Sequence, residues 1–410
     1  MNILIYMSGG FDVHGPSNHL FSTLIEDLLS YRHHVFLVQR VIDNKNNELN
    51  SNVLTNNNFH NFYVSHKIVE KNKLVKRYFN SVNYAHKSKY VLKNVFLSNK
   101  IDVVLVQSNP TPYFQLRTVR KFFKGPIVFN VQDIFPGSTI AAGKMKSKLM
   151  QLFFTWLSKK AYSLTDHITV ISEDSKRLLV SQGVPEEKVS VILNWFNSNQ
   201  VKEIQWENNL FVKKYNLKPN YFYIQYAGGM GFVFDYFSII KLAEKVIDYK
   251  DIQFLMIGDG SQKKAFVDTA KKLNLDNIHF YPMQPQDEVS DVYSACDIQL
   301  IPLNRKIIGN SVPSKAALVM ACRRLIVNSV DEDSEYYERF ILNKIGVSVS
   351  NLNNDELFNK ILDIYFHKND YKQMIENAYK FTYQYYSRNV CTNLYNELFK
   401  KLIEVNHKRK

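Results

Sequence analysis

The chain repeats one pattern from end to end. A short run of Val, Ile, Leu and Phe is followed by a polar or glycine-rich turn, and then by a stretch of helical periodicity. Runs that are apolar at nearly every position suit strands covered on both faces. Such strands pair in parallel, because a crossover helix carries the chain back between them. In the first half the runs are NILIYM, HHVFLVQ, IDVVLVQS, PIVFNVQ, HITVIS and VSVILNWF. LFSTLIEDLLSYR and RTVRKFF read as helices, the stretch after HHVFLVQ as a polar Asn-rich loop, and the basic stretch around 66–97 as helical. After a polar spacer the pattern restarts. YFYIQYA, IQFLMI, NIHFYPM, IQLIPL and LIVNSV are strand-like, with FSIIKLAEKVIDY, KKAFVDTAKKLN and DEVSDVYSACD as the helices between them. Residues 355–380 read as helical, and NVCTNLYNELFKKLIEVNHK carries an apolar stripe at 3.6-residue spacing. The class is α/β: two consecutive doubly wound halves with ligand loops at the carboxyl ends of their strands, a design that forms a cleft between halves.

Length agrees with two domains, since 410 residues exceed one ordinary core. Lys and Arg number 52 against 38 acidic residues, a formal net charge of +14. That excess points to an anionic partner, whether phosphorylated ligand, acidic membrane or nucleic acid; a compositional bias toward Lys and Asn would give the same surplus. Cys296, Cys322 and Cys391 are too few and too scattered for a disulfide framework or a metal site, which suits a reducing compartment. MNILIYMSGG has no basic start and turns polar early, unlike a signal peptide. MQLFFTWLSKKAY stops well short of the roughly 20 residues a bilayer needs. A cytoplasmic protein is the expectation.

Chemistry concentrates in four loops. Gly9–Gly10 through Gly15–Pro16–Ser17 follows the first strand and precedes a helix, where bare backbone can approach an anion; a plain tight turn would look the same. Gly228–Gly229–Met230–Gly231 and Gly258–Asp259–Gly260 each follow a strand of the second half. IIGNSVPSKAALVMACRR then brings Ser311, Pro313, Ser314 and Lys315 to a helix start. Three loops at one sheet edge, with a lysine among them, suit a diphosphate better than a neutral ligand.

The order YAGGMG, FLMIGDG, NIHFYPMQPQDEVSDVYSACDIQLIPL and SVPSKAALVMA resembles the nucleotide-sugar half of the GT-B glycosyltransferases, and more narrowly the retaining glycosyltransferase family 4. GGFDVHGPSNHL, VQDIFPGS and DHITVISEDSKRLL resemble that family's acceptor half. VPSK with QDIFP is similar to the branch that builds bacterial surface polysaccharides, L-fucosamine transferases included. The resemblance implies two Rossmann-like domains facing across a deep cleft. Residues 1–198 would bind acceptor and membrane, 199–380 the sugar nucleotide, and 381–410 would form a helix returning to the first domain.

It implies roles too. Gly15 would let the first loop meet the donor diphosphate. Asp133 would orient or deprotonate the acceptor hydroxyl, although a turn-capping carboxylate before Phe135–Pro136 is the simpler alternative. Lys315 would neutralise the departing diphosphate, with Ser314 donating beside it. Gly229, Gly231, Gly258, Asp259, Gly260, Ser311, Pro313 and Glu335 would line the donor, and Met283 would lie in the turn that receives the base. The implied reaction moves a sugar, a hexose or N-acetylaminosugar, from a nucleotide diphosphate sugar such as a UDP-sugar to a polyprenyl-diphosphate-linked saccharide, with no metal and no cofactor.

Departures from the family pattern keep other readings open. Gly231–Phe232–Val233–Phe234–Asp235 lacks the usual Arg or Lys. Asn310 and Leu318 stand where relatives pair glutamates, Arg323 and Leu325 replace a Gly and a Pro, and Gln132 replaces a His. A catalytically silent GT-B subunit or glycan-binding homologue fits those losses, and a sugar-nucleotide epimerase is the further alternative. His66–Lys93 holds eight Lys or Arg against one Glu, and Gly143–Lys160 sets Lys144, Lys146 and Lys148 beside Phe153, Phe154 and Trp156. Such mixtures suit an anionic membrane interface; nucleic acid or plain solvation would use similar residues. With the resemblance, the expectation is peripheral attachment at the inner face of the cytoplasmic membrane, without nucleic acid.

Overall fold

The computed structural model describes residues 1–12, 18–42, 49–67, 74–107, 111–141, 143–198, 200–310, 313 and 315–408. It divides into two compact units, Met1–Asn194 with Arg388–Lys410, and Trp195–Ser387. Gly15, Ser311 and Ser314 lie outside the described residues.

The first unit carries seven parallel strands: β1 (Asn2–Tyr6), β2 (His34–Val41), β3 (Phe59–Ser65), β4 (Val103–Gln107), β5 (Ile127–Val131), β6 (His167–Val170) and β7 (Val189–Val191). Their order is β3-β2-β1-β4-β5-β6-β7, so the winding reverses between β1 and β4. β1, β4 and β5 are buried almost throughout, as runs of Val, Ile and Leu under helices on both faces require.

β3 corrects the sequence reading, which ran the Asn-rich loop straight into a helix. FHNFYVS pairs with β2 from Val35↔Phe59 to Val41↔Ser65, and the helix that follows is Leu74–Ser98. This is an edge strand, and its part-exposed polar positions dilute the apolar signal.

The C-terminal helix, Arg388–Lys408, is built into this unit. Arg388 binds Asp27 at 2.7 Å and Glu26 at 2.8 Å on the helix Asn18–Ser30. Further along, the Tyr395 hydroxyl meets the Asn130 amide at 2.8 Å, and Asn396 meets His33. The expected change of domain at residue 381 moves to Ser387–Arg388, because the helix Lys372–Tyr385 runs unbroken through 381.

The second unit has six parallel strands: β8 (Phe222–Ala227), β9 (Ile252–Ile257), β10 (Ile278–Tyr281), β11 (Ile298–Pro302), β12 (Leu325–Val330) and β13 (Val347–Ser350). Their order, β10-β9-β8-β11-β12-β13, reverses between β8 and β11. One core of Ile224, Phe254, Phe266, Leu300, Val327 and Ile361 fixes the sheet against its helices. Arg323 occupies the left-handed region at φ 52°, a conformation that glycine adopts most cheaply. Its guanidinium lies 3.7 Å from the Tyr379 ring centroid and pairs with Glu376, contacts that offset the strain.

Candidate functional site

The glycine turn at residues 228–231 follows β8, beside the winding reversal where an open parallel sheet leaves room for a ligand, and the turn at 258–260 follows the adjacent strand β9. The turns are bonded to one another. The Gly228 N–H donates to Ile257 at 2.8 Å, the Met230 N–H to the Asp259 carbonyl at 2.8 Å, and the Gly258 N–H to Tyr281 at 3.2 Å. Gly258 has φ 138°, and a methyl group on it would sit 1.9 Å from the Gly228 carbonyl oxygen. Close backbone packing therefore demands that glycine. Gly229 and Gly231 differ, because among the described residues a methyl group there would meet nothing within 4 Å. Their surroundings are open space, which a ligand can enter.

Lys315 lies across this platform. Its ammonium stands 4.3 Å from the centre of the Tyr226 ring, and a methyl group on Gly228, at φ 143°, would fall 1.6 Å from Nζ. The Tyr226 hydroxyl donates to the Gly229 carbonyl at 2.7 Å, fixing ring and turn together. The ammonium has no hydrogen-bond or ion-pair partner among the described residues, and burial pulls its pKa down to about 7. An unpaired, desolvated cation beside open backbone is a place for an anion to bind. The helix after it corrects one expectation. Ala316–Ala321 is only six residues long, so the lysine rather than a helix dipole supplies the positive charge.

The other sequence candidates are placed as follows. Asp259 is exposed, and its carboxylate accepts from the Gly260 N–H at 2.7 Å. Met283 is exposed just after β10, and Pro313 is half-buried in the loop before Lys315. Glu335 begins the helix Glu335–Leu342 beyond β12, and its carboxylate is held by Arg339, Nε at 2.8 Å. Gly229, Gly231, Gly258, Asp259, Gly260 and Lys315 thus share one sheet edge, with Met283 in the segment after β10 and Glu335 on the helix after β12. Asp133 belongs to the first unit, exposed at the end of β5. Beside it the Gln132 side-chain amide donates to the Asn130 amide oxygen at 3.0 Å and accepts from the Asn194 amide at 2.7 Å.

Two participants were missed in the sequence. Lys263 donates to the Gly258 carbonyl at 2.6 Å and the Tyr281 carbonyl at 3.3 Å, placing a second ammonium against the turns. The spacing Gly258-Asp-Gly-x-x-Lys263 was the available signal. Tyr226, inside an apolar strand, gave none. Among the departures, Phe232 is exposed, and Asp235 caps the helix Tyr236–Lys245 by accepting from Phe237 and Ser238 N–H. Leu318 lies half-buried on its short helix. Among the described residues no cluster of three or more His, Cys, Asp or Glu could hold a metal ion.

A profile of glycosyl transferases group 1 matches residues 208–381, and one of Glycosyltransferase Family 4 matches residues 24–200. A protein of Pseudomonas aeruginosa named as a probable glycosyltransferase, WbjE, is 27% identical over 244 residues, 57% of this chain and 58% of the relative. WcaI of Escherichia coli K12, whose name assigns it to glycosyl transfer in colanic acid biosynthesis, is 22% identical over 210 residues, 50% of this chain and 51% of the relative. The chain thus spans little more than half the length of these curated relatives. The structure of Anabaena HepE in complex with UDP superimposes with a TM-score of 0.70 at 12% identity, covering 98% of this chain and 100% of that one. That likeness establishes the fold.

Proposed function

We propose, from the premise that this chain belongs to the family 4-like glycosyltransferases of two-domain GT-B fold, that it transfers a sugar with retention from a UDP-sugar to a lipid-linked saccharide of a bacterial surface polysaccharide. The observation that carries donor binding is the unpaired Lys315 ammonium against the glycine turns. The acceptor hydroxyl attacks the anomeric carbon on the face the diphosphate leaves. The carbon–oxygen bond to phosphate breaks with its electron pair on the diphosphate, and the hydroxyl proton passes to the departing phosphate. Charge grows on the diphosphate during that step, and Lys315 stabilises the growing charge. The polysaccharide context draws support from WcaI, and UDP as the nucleotide from HepE.

Thermal shift with UDP, GDP, CMP and dTDP tests the donor half of the reading. UDP at about 100 times its dissociation constant should stabilise the protein by about 2.7 kcal/mol. No shift with any of the four would remove the basis for the proposal. A UDP shift without transfer to any lipid-linked saccharide would support the silent-subunit reading, which the unreplaced base at Phe232 and the apolar Leu318 favour.

Membrane attachment is part of the same reading. On the helix Lys148–Ser163, Leu149, Leu152, Phe153 and Trp156 form one stripe, 44–80% exposed, continuous with Phe79 through Tyr78. No acidic residue occurs from Ile134 to Thr165, while Lys144, Lys146, Lys148, Lys159 and Lys160 are all exposed. Apolar side chains with a basic rim fit an anionic interface, at about 1 kcal/mol per basic residue. No helix among the described residues is long and apolar enough to cross a membrane. Co-sedimentation with phosphatidylglycerol vesicles should exceed that with phosphatidylcholine, and Leu152→Ser with Trp156→Ser should weaken it at least tenfold. Equal recovery with both lipids would count against this face.

A further inference from the structure

We propose that the first unit holds a second anion site, formed by Arg40, His66 and Lys87 at the carboxyl ends of β2 and β3, and that it receives the diphosphate of the acceptor. Three elements bring these bases together. Arg40 stands one residue from the end of β2, its N–H bound to the Gly9 carbonyl at 3.1 Å and its backbone paired with Val64 of β3. His66 follows β3 directly, with its N–H on the Val41 carbonyl at 3.1 Å. Lys87 reaches in from the helix Leu74–Ser98, its ammonium 3.2 Å from the Ser65 carbonyl.

The surroundings leave this positive charge poorly answered. Nε of Arg40 is buried and lacks a hydrogen-bond partner among the described residues. Asp12 is the carboxylate that acts on it, yet Oδ2 of Asp12 accepts the Ile42 N–H at 2.6 Å and Oδ1 is buried without a partner. Two oppositely charged groups, each with an unmet buried atom, sit near one another without bonding. His66 is buried against Tyr84, ring centroids 5.4 Å apart, and Nε2 lies 3.0 Å from the Asn80 carbonyl. Burial, with Lys87 and Arg40 nearby, holds its imidazole below the usual range. Among the described residues the cluster therefore presents two basic side chains and a neutral imidazole against one carboxylate, Asp12, of which Oδ2 is already engaged. Lys87 is exposed, so the cluster is open to solvent on that side.

A phosphate group would answer each deficit. It offers oxygens to the Arg40 fork in a bidentate pair, accepts from Lys87, and makes protonation of His66 favourable. A diphosphate has oxygens enough for all three bases at once. Assigning it to the acceptor rests on the lipid-linked acceptor proposed above; a soluble phosphate would use the same chemistry.

The test is calorimetric titration of inorganic diphosphate into the full-length protein with UDP held saturating, so that the Lys315 site is filled. A binding event should remain. Arg40→Gln should weaken it at least tenfold and the surface change Lys87→Gln several-fold, while Lys315→Met leaves it unchanged. Loss of UDP binding in the wild type would sink the donor reading alone, since the diphosphate titration can be run without UDP on the Lys315→Met protein. If neither Arg40→Gln nor Lys87→Gln alters diphosphate affinity, the site is overturned. Lys87→Gln carries the test even if Arg40→Gln fails to fold. Competition by a polyprenyl diphosphate in detergent micelles supports the acceptor assignment, and inorganic diphosphate that no polyprenyl diphosphate displaces overturns it.

Discussion

Lys315→Met should weaken UDP binding by roughly 10- to 100-fold while making the unliganded protein more stable. The loss follows from one charge-assisted hydrogen bond, about 1.5–3 kcal/mol at 1.4 kcal/mol per tenfold. The gain arises because the native ammonium is desolvated and has no partner among the described residues, whereas methionine keeps the contact with Tyr226 without a charge to bury. Opposite signs in one variant distinguish a ligand-binding cation from an ordinary structural lysine. If transfer occurs, kcat should fall by about 10²–10³ as well, the range for loss of one group that stabilises developing charge.

The same lysine predicts a pH dependence. Its folded pKa, about 7, lies below the usual lysine value of 10.5. Between those values the unfolded chain binds a proton that the native chain does not, so unliganded stability rises with pH across that window. Nucleotide diphosphate binding favours the ammonium and so takes up a proton above pH 7. Affinity should decline as pH rises from 7, and the decline should vanish in Lys315→Met. Titration of UDP from pH 6 to 9 checks this, and a flat profile in the wild type would contradict the assignment.

Gly258→Ala should destabilise the second unit by roughly 2–6 kcal/mol. About 1–3 kcal/mol comes from forcing a side chain onto φ 138°, and a similar amount from overpacking, with Cβ at 1.9 Å from a backbone oxygen that no rotamer can move. Against a total of about 5–15 kcal/mol, that is a large fraction. Gly229→Ala is the matched comparison. Its Cβ would meet nothing within 4 Å among the described residues, so stability should stay within about 0.5 kcal/mol while UDP affinity falls. Urea unfolding and nucleotide titration on both variants separate backbone necessity from ligand clearance. A Gly229→Ala protein that binds UDP as the wild type does would show that the open space is not a ligand's.

Legibility in the sequence tracked how local each signal was. Strands buried on both faces, such as NILIY and VVLVQ, announce themselves by an unbroken apolar run. The edge strand FHNFYVS was lost among asparagines because few of its residues are buried. Pro313 and Lys315 could be read as a loop and a cation. That Lys315 lies on Tyr226, in room left by Gly228, could not, because those residues come from another strand's end. Lys263 was read only as part of the helical stretch KKAFVDTAKKLN, though its ammonium belongs to the glycine turns.

The sequence by itself determined the class of fold, the family and the four loops, because apolar periodicity and glycines after strands are properties of neighbouring residues. It also determined the surplus of positive charge. The tertiary structure decided where that charge is left unanswered. Lys315 and Arg40 are desolvated by the fold around them, which no neighbouring residue in the sequence announces. The structure also decided that the last helix completes the first unit, since Arg388 finds Asp27 and Glu26 there. Burial and pairing depend on what the fold brings alongside a group, and that is the physical difference between a basic residue and a binding site.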